Sequence, residues 1–259
     1  MGVSAIESVR RLGVLVGESD PLVEFDLQRF LPHNVSFHIG RLDMPTGARL
    51  ASNETSQMLC DAAPGAARRV AAAEVEFIIF ACTSASFLHG EGWDLELARQ
   101  IEDASGVAAT TTATAVADAL EFMDARRVFM ATPYSPEVNA REVAFIASRG
   151  IEVTQQFSFG CALSRDVAHV SPAVIYDELM RRRAEIRGND VLFVSCTMLR
   201  AMEIAEQLEA DIGVPVVTSN SASVWRMLNA VGEDTGPVKA GRLFRQASPE
   251  GSGPTPAAG

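Results

Sequence analysis

The stretch FIIFACTSASF, residues 77–87, places Cys82 directly after a run of apolar residues and follows it with Thr83 and Ser84. A second stretch, VLFVSCTML at 191–199, repeats the arrangement with Cys196 and Thr197. Short apolar runs of this kind predict buried strands. One cysteine at a strand end is explained by packing, but two in matching settings indicate chemistry.

Six further apolar runs occur along the chain, and helix-forming stretches separate most of them. The runs are LGVLVG (12–17), VSFHIG (35–40), VAATT (107–111), RVFMAT (127–132), VTQQF (153–157) and VPVVTS (214–219). Strands that alternate with helices and are apolar almost throughout predict parallel sheets covered on both faces. The fold class is therefore α/β.

The two halves of the chain follow the same plan. RRLGVLVGESD (10–20) resembles ARRVFMATPYS (125–135), and Gly17 precedes Cys82 by 65 residues where Thr132 precedes Cys196 by 64. We therefore predict two pseudosymmetric Rossmann-like domains with the active site in the cleft between them. The predicted units are residues 1–118, onto which the last helix of the chain could pack back, residues 119–246, and a disordered tail at 247–259.

Composition excludes several classes of function. A net charge of −11 argues against nucleic-acid binding, because only MRRRAEIR (180–187) is locally basic. No apolar run reaches the roughly 18 residues of a membrane helix, and no apolar signal segment is evident, so we expect no membrane partner and a cytoplasmic location. The cysteines lack CxxC spacing and no glycine-rich phosphate loop follows a strand, so we expect neither a metal nor a cofactor.

Ligands of parallel α/β sheets bind beyond the carboxyl ends of the strands. If the two halves face each other, this rule brings together one set of residues from both: Ser19, Asp20, Cys82, Thr83, Ser84, Tyr134, Cys196 and Thr197. One thiol would then lie on each side of the cleft.

Both thiols are predicted to precede a helix. Thr83 and Ser84 are N-cap candidates for the stretch after Cys82, and Thr197 is one for a helix over MLRAMEIAEQLEADIG (198–213). Free N–H groups at a helix start favour thiolate over thiol and also bind carboxylates, so these residues are candidates to hold a substrate carboxylate.

Two opposed thiols allow two reactions without a cofactor. One thiolate can remove a proton from a carbon beside a carboxylate while the other thiol returns a proton to the opposite face, which is racemisation. Alternatively, a thiolate adds to an activated double bond and the adduct rotates, which is cis–trans isomerisation. A single cysteine is enough to protonate an enediolate left by loss of carbon dioxide.

The runs ACTSASFLHG (81–90), ATTTATAVADALEFMDARRVFMATPYSPEVNARE (109–142) and VLFVSCTMLRAMEIAEQLEADIGVPVVTSN (191–220) resemble the maleate isomerase and arylmalonate decarboxylase branch of the aspartate/glutamate racemase superfamily. The resemblance implies a cofactor-independent enzyme with Cys82 and Cys196 as catalytic cysteines. It also implies that four residues bind the substrate carboxylate: Thr83, Ser84, Tyr134 and Thr197. Related enzymes range from monomer to dimer or higher, so a homo-oligomer is compatible with the resemblance.

The chain departs from both branches. Arylmalonate decarboxylases resemble it closely but retain only the second cysteine, so Cys82 argues against simple decarboxylation. Maleate isomerases carry asparagines that bind substrate where this chain has Asp20 and Ser164. An aspartate repels a second carboxylate unless it is protonated, and it attracts an ammonium group.

We predict a two-cysteine isomerase of a small carboxylic acid, similar to maleate cis–trans isomerase. The alternatives are a racemase of an amino acid or N-acylamino acid, similar to ectoine-utilisation proteins, and an arylmalonate-type decarboxylase with Cys196 as proton donor. A binding protein that senses a carboxylate is the alternative outside the enzymes.

Overall fold

The structure is a computed structural model that describes residues 9–44 and 47–245. All eight predicted strands form, and they assemble into two parallel sheets of four. The strands of the first sheet are β1 (Arg10–Gly17), β2 (Val35–Leu42), β3 (Phe77–Ala81) and β4 (Ala109–Thr111). Those of the second are β5 (Arg127–Thr132), β6 (Glu152–Ser158), β7 (Val191–Val194) and β8 (Val216–Thr218). The orders β2-β1-β3-β4 and β6-β5-β7-β8 are equivalent, which confirms the predicted pair of pseudosymmetric α/β units.

Helices connect the strands in both halves. In the first half they are α1 (Leu22–Phe30), α2 (Asn53–Ala71), α3 (Thr83–Ser86), α4 (Trp93–Ser105) and α5 (Thr112–Phe122). In the second half they are α6 (Pro136–Ser148), α7 (Ser164–Val167), α8 (Pro172–Arg181), α9 (Arg183–Ile186), α10 (Ala205–Ile212) and α11 (Ser219–Ala230). None of the helices within the described ranges is long and apolar enough to cross a membrane.

Serine and threonine hydroxyls determine where several of these helices begin. The hydroxyl oxygens of Ser52, Thr111, Ser135, Ser171 and Thr218 each accept a hydrogen bond from an amide in the first turn of the helix that follows. These bonds satisfy amides that have no partner within the helix.

Helices α5 and α11 join the two sheets. They pack against each other, α11 also contacts β3 and α1, and α5 also contacts β8. The hydroxyls of Thr112 and Ser223 lie 3.2 Å apart, and Arg226 pairs with Asp118 at 3.2 Å. The predicted boundary after residue 118 falls within α5, so the division into domains stays a prediction, and the predicted tail at 247–259 lies outside the described residues.

Burial follows the alternation of side chains along the strands. In β1, Val14 and Val16 belong to an apolar core that continues through both sheets, whereas Leu15 faces a separate cluster formed with α2 and α4. A Cβ atom on Gly13 would lie 2.8 Å from Val70 Cγ1, so α2 packs on β1 at a distance that only glycine allows. The sheet is thus buried on both faces, as parallel sheets require.

Two predicted helices differ from the structure, and both follow a cysteine. The helix predicted over 198–213 does not begin after Thr197, because the chain turns first and passes through a short 3₁₀ segment (Met202–Ile204) before α10. After Cys82 the helix stops at Ser86, and α4 starts only beyond Gly90 and Gly92, both of which have positive φ. Each thiol is therefore followed by a tight turn and not by a long helix.

Candidate active site

The two predicted catalytic thiols line one small cavity at the carboxyl ends of the central strands. Its volume is about 40 Å³, which is space for about three water molecules. The other predicted site residues that line it are Asp20, Thr83, Ser84, Tyr134, Ser164 and Thr197. Ser19 is not among them, because its side chain is exposed and its hydroxyl donates to Met44 Sδ at 3.7 Å.

Cys82 lies at the N-cap position of α3. Thr83 and Ser84, predicted as N-cap candidates, are instead the first two residues of this helix. Burial raises the pKa of the Cys82 thiol, while hydrogen bonds from the Ala85 amide and the Ser84 side chain act in the opposite direction. The turn thus supplies donors that would stabilise the thiolate once it forms.

Cys196 has a strained backbone, with φ of 95°. A non-glycine residue held in such a conformation costs about 1–3 kcal/mol and persists only where its surroundings hold it in place. Burial raises the pKa of the Cys196 thiol, and hydrogen bonds from the Met198 amide and the Tyr134 hydroxyl oppose the shift. Tyr134 is buried and lines the same cavity as Cys196, and its predicted contact with a substrate stays a prediction.

Ser219, at the start of α11, connects the segments that carry the two cysteines. Its Oγ accepts a hydrogen bond from Thr83 Oγ1 at 2.9 Å and another from the Cys196 amide at 3.0 Å. Ser219 was not predicted from the sequence, because its role depends on contacts between distant parts of the chain. The capping pattern TSNS (218–221), which starts α11 at this point, was the available signal.

Asp20 links α1 to the second half of the molecule. Its Oδ1 accepts from the amides of Leu22 at 2.8 Å and Val23 at 3.2 Å, and its Oδ2 accepts from Thr197 Oγ1 at 2.9 Å. Burial raises the pKa of the carboxyl group, and these hydrogen bonds lower it. Asp20 therefore holds the start of α1 and also lines the cavity.

The two threonine hydroxyls are engaged within the protein. Thr83 donates to Ser219 and Thr197 donates to Asp20. A bound carboxylate would therefore accept hydrogen bonds from other donors, or these two hydroxyls would have to rotate toward it. Their predicted contacts with a substrate carboxylate stay a prediction.

Hydrogen-bond donors dominate the polar part of the cavity. None of the described residues that line it is Lys, Arg or His. An anion held here would depend on amide and hydroxyl donors, as in oxyanion holes. Across residues 9–44 and 47–245, no group of three or more His, Cys, Asp or Glu side chains is placed to hold a metal ion.

The sequence model of the arylmalonate decarboxylase family matches residues 12–244. The chain belongs to this family. This member of the family is 32% identical to the arylmalonate decarboxylase of Bordetella bronchiseptica over 169 residues, which are 64% of this chain and 69% of that protein. It is 25% identical to the maleate isomerase of Nocardia farcinica over 252 residues, which are 93% and 97% of the two chains.

Solved structures of both kinds of enzyme share the fold of this family member. A liganded arylmalonate decarboxylase variant, in which one glycine is replaced by cysteine and one cysteine by serine, matches with a TM-score of 0.83 and 28% identity over 92% of this chain and 100% of that one. A maleate isomerase from Pseudomonas putida S16 with maleate matches with a TM-score of 0.85 and 22% identity, covering 92% of this chain and 98% of that one. The predicted resemblance to arylmalonate decarboxylases and to maleate isomerases is thus confirmed.

Proposed function

We propose that this protein is a cofactor-independent isomerase of a small carboxylic acid that works through Cys82 and Cys196, in the manner of a maleate cis–trans isomerase. The observation that carries the proposal is that both thiols line a single cavity. The similarity to the Nocardia farcinica maleate isomerase, which extends over 93% of this chain, supports it.

The size of the cavity favours a small substrate. A cavity of about 40 Å³ must widen to admit any of these acids, and a short acid requires a smaller displacement of the walls than an aryl group does. We propose a small carboxylate as the only ligand the reaction needs, and a cytoplasmic location for the protein.

We assign Cys82 as the nucleophile, because it is the less buried of the two thiols and its sulfur lies 3.9 Å from the Ser84 hydroxyl, which can support the thiolate. After its proton has passed to solvent, the sulfur adds to one alkene carbon of the acid, and the π-electron pair moves to the neighbouring carbon. The Cys196 thiol protonates that carbon and becomes a thiolate. The product is a thioether with a single bond between the two carbons.

Rotation about this single bond places the two carboxylates on opposite sides. The Cys196 thiolate then takes back a proton from the same carbon, the double bond re-forms, and the Cys82 sulfur leaves as a thiolate. Tyr134 remains hydrogen-bonded to Cys196 and stabilises its charge between the two proton transfers.

Proton NMR in deuterated water with maleate tests the proposal. The wild-type protein should produce fumarate, and both Cys82→Ala and Cys196→Ala should abolish its formation. Cys161→Ala is the matched control, since Cys161 does not line the cavity, and it should retain activity. Isomerisation that survives the loss of either cavity cysteine would refute the two-thiol mechanism.

Asp20 favours a second candidate, the racemase of an amino acid or N-acylamino acid. A buried carboxylate in the cavity wall attracts the ammonium group of an amino acid, can accept a hydrogen bond from the amide N–H of an N-acylamino acid, and repels a second carboxylate. Amino acids incubated in deuterated water would then gain deuterium at the α-carbon, and this exchange should again need both cysteines.

The similarity to the Bordetella bronchiseptica decarboxylase favours a third reaction, decarboxylation of an arylmalonate. Loss of one carboxyl group from an arylmalonate, retained in Cys82→Ala and abolished in Cys196→Ala, would replace the isomerase proposal.

A further inference from the structure

Three neighbouring residues in the segment that carries Cys196 are each held by a side chain from another part of the chain. The hydroxyl of Ser195 donates to Glu142 Oε1 at 2.5 Å. The amide of Cys196 donates to Ser219, and the hydroxyl of Thr197 donates to Asp20. Because Cys196 has a φ of 95°, these bonds hold a backbone conformation that a residue with a side chain rarely adopts.

Glu142 is unusual among these partners. It lies on α6, is 1% exposed, and its Oε2 atom is buried without a hydrogen-bond partner. Burial raises the pKa of this carboxyl group to about 8, which favours the protonated form at neutral pH. A leucine would fill similar space without burying a polar group, and the packing of α6 therefore gives no reason for a carboxyl at this position.

The same helix positions the donor to the Cys196 sulfur. Asn139, one turn before Glu142, accepts from Thr132 Oγ1 at 2.6 Å, and that oxygen accepts from the Tyr134 amide at 3.1 Å. Tyr134 lines the cavity together with Cys196, and its hydroxyl lowers the pKa of the Cys196 thiol. One face of α6 thus fixes both the thiol and the group that donates to it.

We propose that Glu142 is a positioning residue, which acts through Ser195 to hold Cys196 in the backbone conformation that directs its sulfur toward Tyr134 and the cavity. The effect on turnover rests on the proposed role of Cys196, whereas the effect on the position of the sulfur does not. Glu142 does not line the cavity and acts only through the neighbouring segment.

The test compares Glu142→Gln, Glu142→Leu and Ser195→Ala by two readouts. The first is the rate at which iodoacetamide alkylates Cys196 relative to Cys82 in the same molecule, measured by mass spectrometry of the peptides. The second is kcat and KM for maleate. Glutamine keeps an oxygen that accepts from Ser195, so Glu142→Gln should match the wild type in both readouts.

Loss of the Ser195 bond should release the strained backbone and expose the sulfur. In Glu142→Leu and in Ser195→Ala, the Cys196-to-Cys82 alkylation ratio should rise about fivefold or more. In both variants kcat should fall about tenfold or more with little change in KM, because the misplaced group acts only in the chemical step. If Glu142→Leu fails to fold, Ser195→Ala removes the same bond by deleting one oxygen atom.

Glu209→Gln is the control for a general loss of stability. Glu209 is also a buried glutamate, but it holds the amides of Val216 and Arg242 and does not line the cavity. Its alkylation ratio should equal that of the wild type whatever its Tm.

An unchanged ratio in folded Glu142→Leu and Ser195→Ala would overturn the proposal, and so would a Glu142→Gln variant that behaves like Glu142→Leu. If the wild type does not isomerise maleate, the proposed function fails, but the alkylation ratio still tests the positioning role.

Discussion

Replacement of Glu142 by glutamine should change how the stability of the protein depends on pH. The carboxyl group has an ordinary pKa of 4.5 and a folded-state pKa of about 8, because burial disfavours its charged form. Between these values the folded protein keeps a proton that the unfolded chain has released. The free energy of unfolding therefore falls as the pH rises through this window.

The size of the effect follows from the width of the window. Each unit of pKa difference corresponds to about 1.36 kcal/mol, so the whole window of about 3.5 units amounts to roughly 5 kcal/mol. Relative to acid pH, the loss attributable to Glu142 should be about 1 kcal/mol at pH 5 and about 3 kcal/mol at pH 7. Glutamine has no proton to lose and keeps an acceptor for Ser195, so Glu142→Gln should not show this loss.

Urea unfolding from pH 5 to pH 8.5, in steps of half a unit, measures the difference between the two proteins. Other buried acids, such as Asp26 with a pKa raised to about 7, titrate in both proteins and cancel. The advantage of Glu142→Gln should grow steadily with pH. A difference that stays constant to within about 0.5 kcal/mol across this range would show that Glu142 is not a buried neutral acid.

Three other substitutions test separate parts of the structure. Tyr134→Phe removes the hydroxyl that lowers the pKa of the Cys196 thiol, so kcat for isomerisation should fall about 10- to 100-fold with an unchanged fold by circular dichroism. A fall below threefold would contradict this role of Tyr134. Asp94→Ala leaves Arg149 and Thr114 without the fully buried carboxylate that each contacts at 2.7 Å. Urea unfolding should show that the free energy of unfolding falls by about 3 kcal/mol. A fall of less than about 1 kcal/mol would mean that the ion pair between Asp94 and Arg149 is unimportant for stability. Gly13→Ala should lower the free energy of unfolding by about 1–3 kcal/mol, because its Cβ atom would lie 2.8 Å from Val70. The control Gly65→Ala, whose nearest neighbour is at 3.7 Å, should stabilise α2 by about 0.5–1 kcal/mol. Equal Tm values for the two variants would refute the tight packing of α2 on β1.

The sequence was sufficient to predict the strands, their parallel arrangement and the meeting of two cysteines. These features depend on local composition and on a rule of α/β topology, and both can be read along the chain. The segment after Thr197 was predicted wrongly for a physical reason. Its residues are good helix formers, but the strained Cys196, the bond from its amide to Ser219 and the bond from the Thr197 hydroxyl to Asp20 impose a turn before a helix can begin. Tertiary contacts override helix propensity at this point.

Glu142 was missed although the sequence contained a signal. Val138, Phe145 and Ile146 are buried on one face of α6, and Glu142 lies four residues after the first of them on the same face. A charged residue at an apolar position of an amphipathic helix calls for a specific partner. That partner, Ser195, is 53 residues away along the chain, so only the folded structure could identify it.

The contact between α5 and α11 bears on how this family can change its reaction. The distance between positions 82 and 196 is set by the packing of helices and sheets, and Cys82 is only partly buried against the apolar cluster of the first half. A point substitution at position 82 can therefore add or remove a reactive group without disturbing the frame around it. The arylmalonate decarboxylase structures with a glycine-to-cysteine substitution show that relatives with this fold accept an added cysteine. Such a scaffold makes new chemistry accessible in single mutational steps, since the stability of the protein and the identity of its reactive groups can evolve separately.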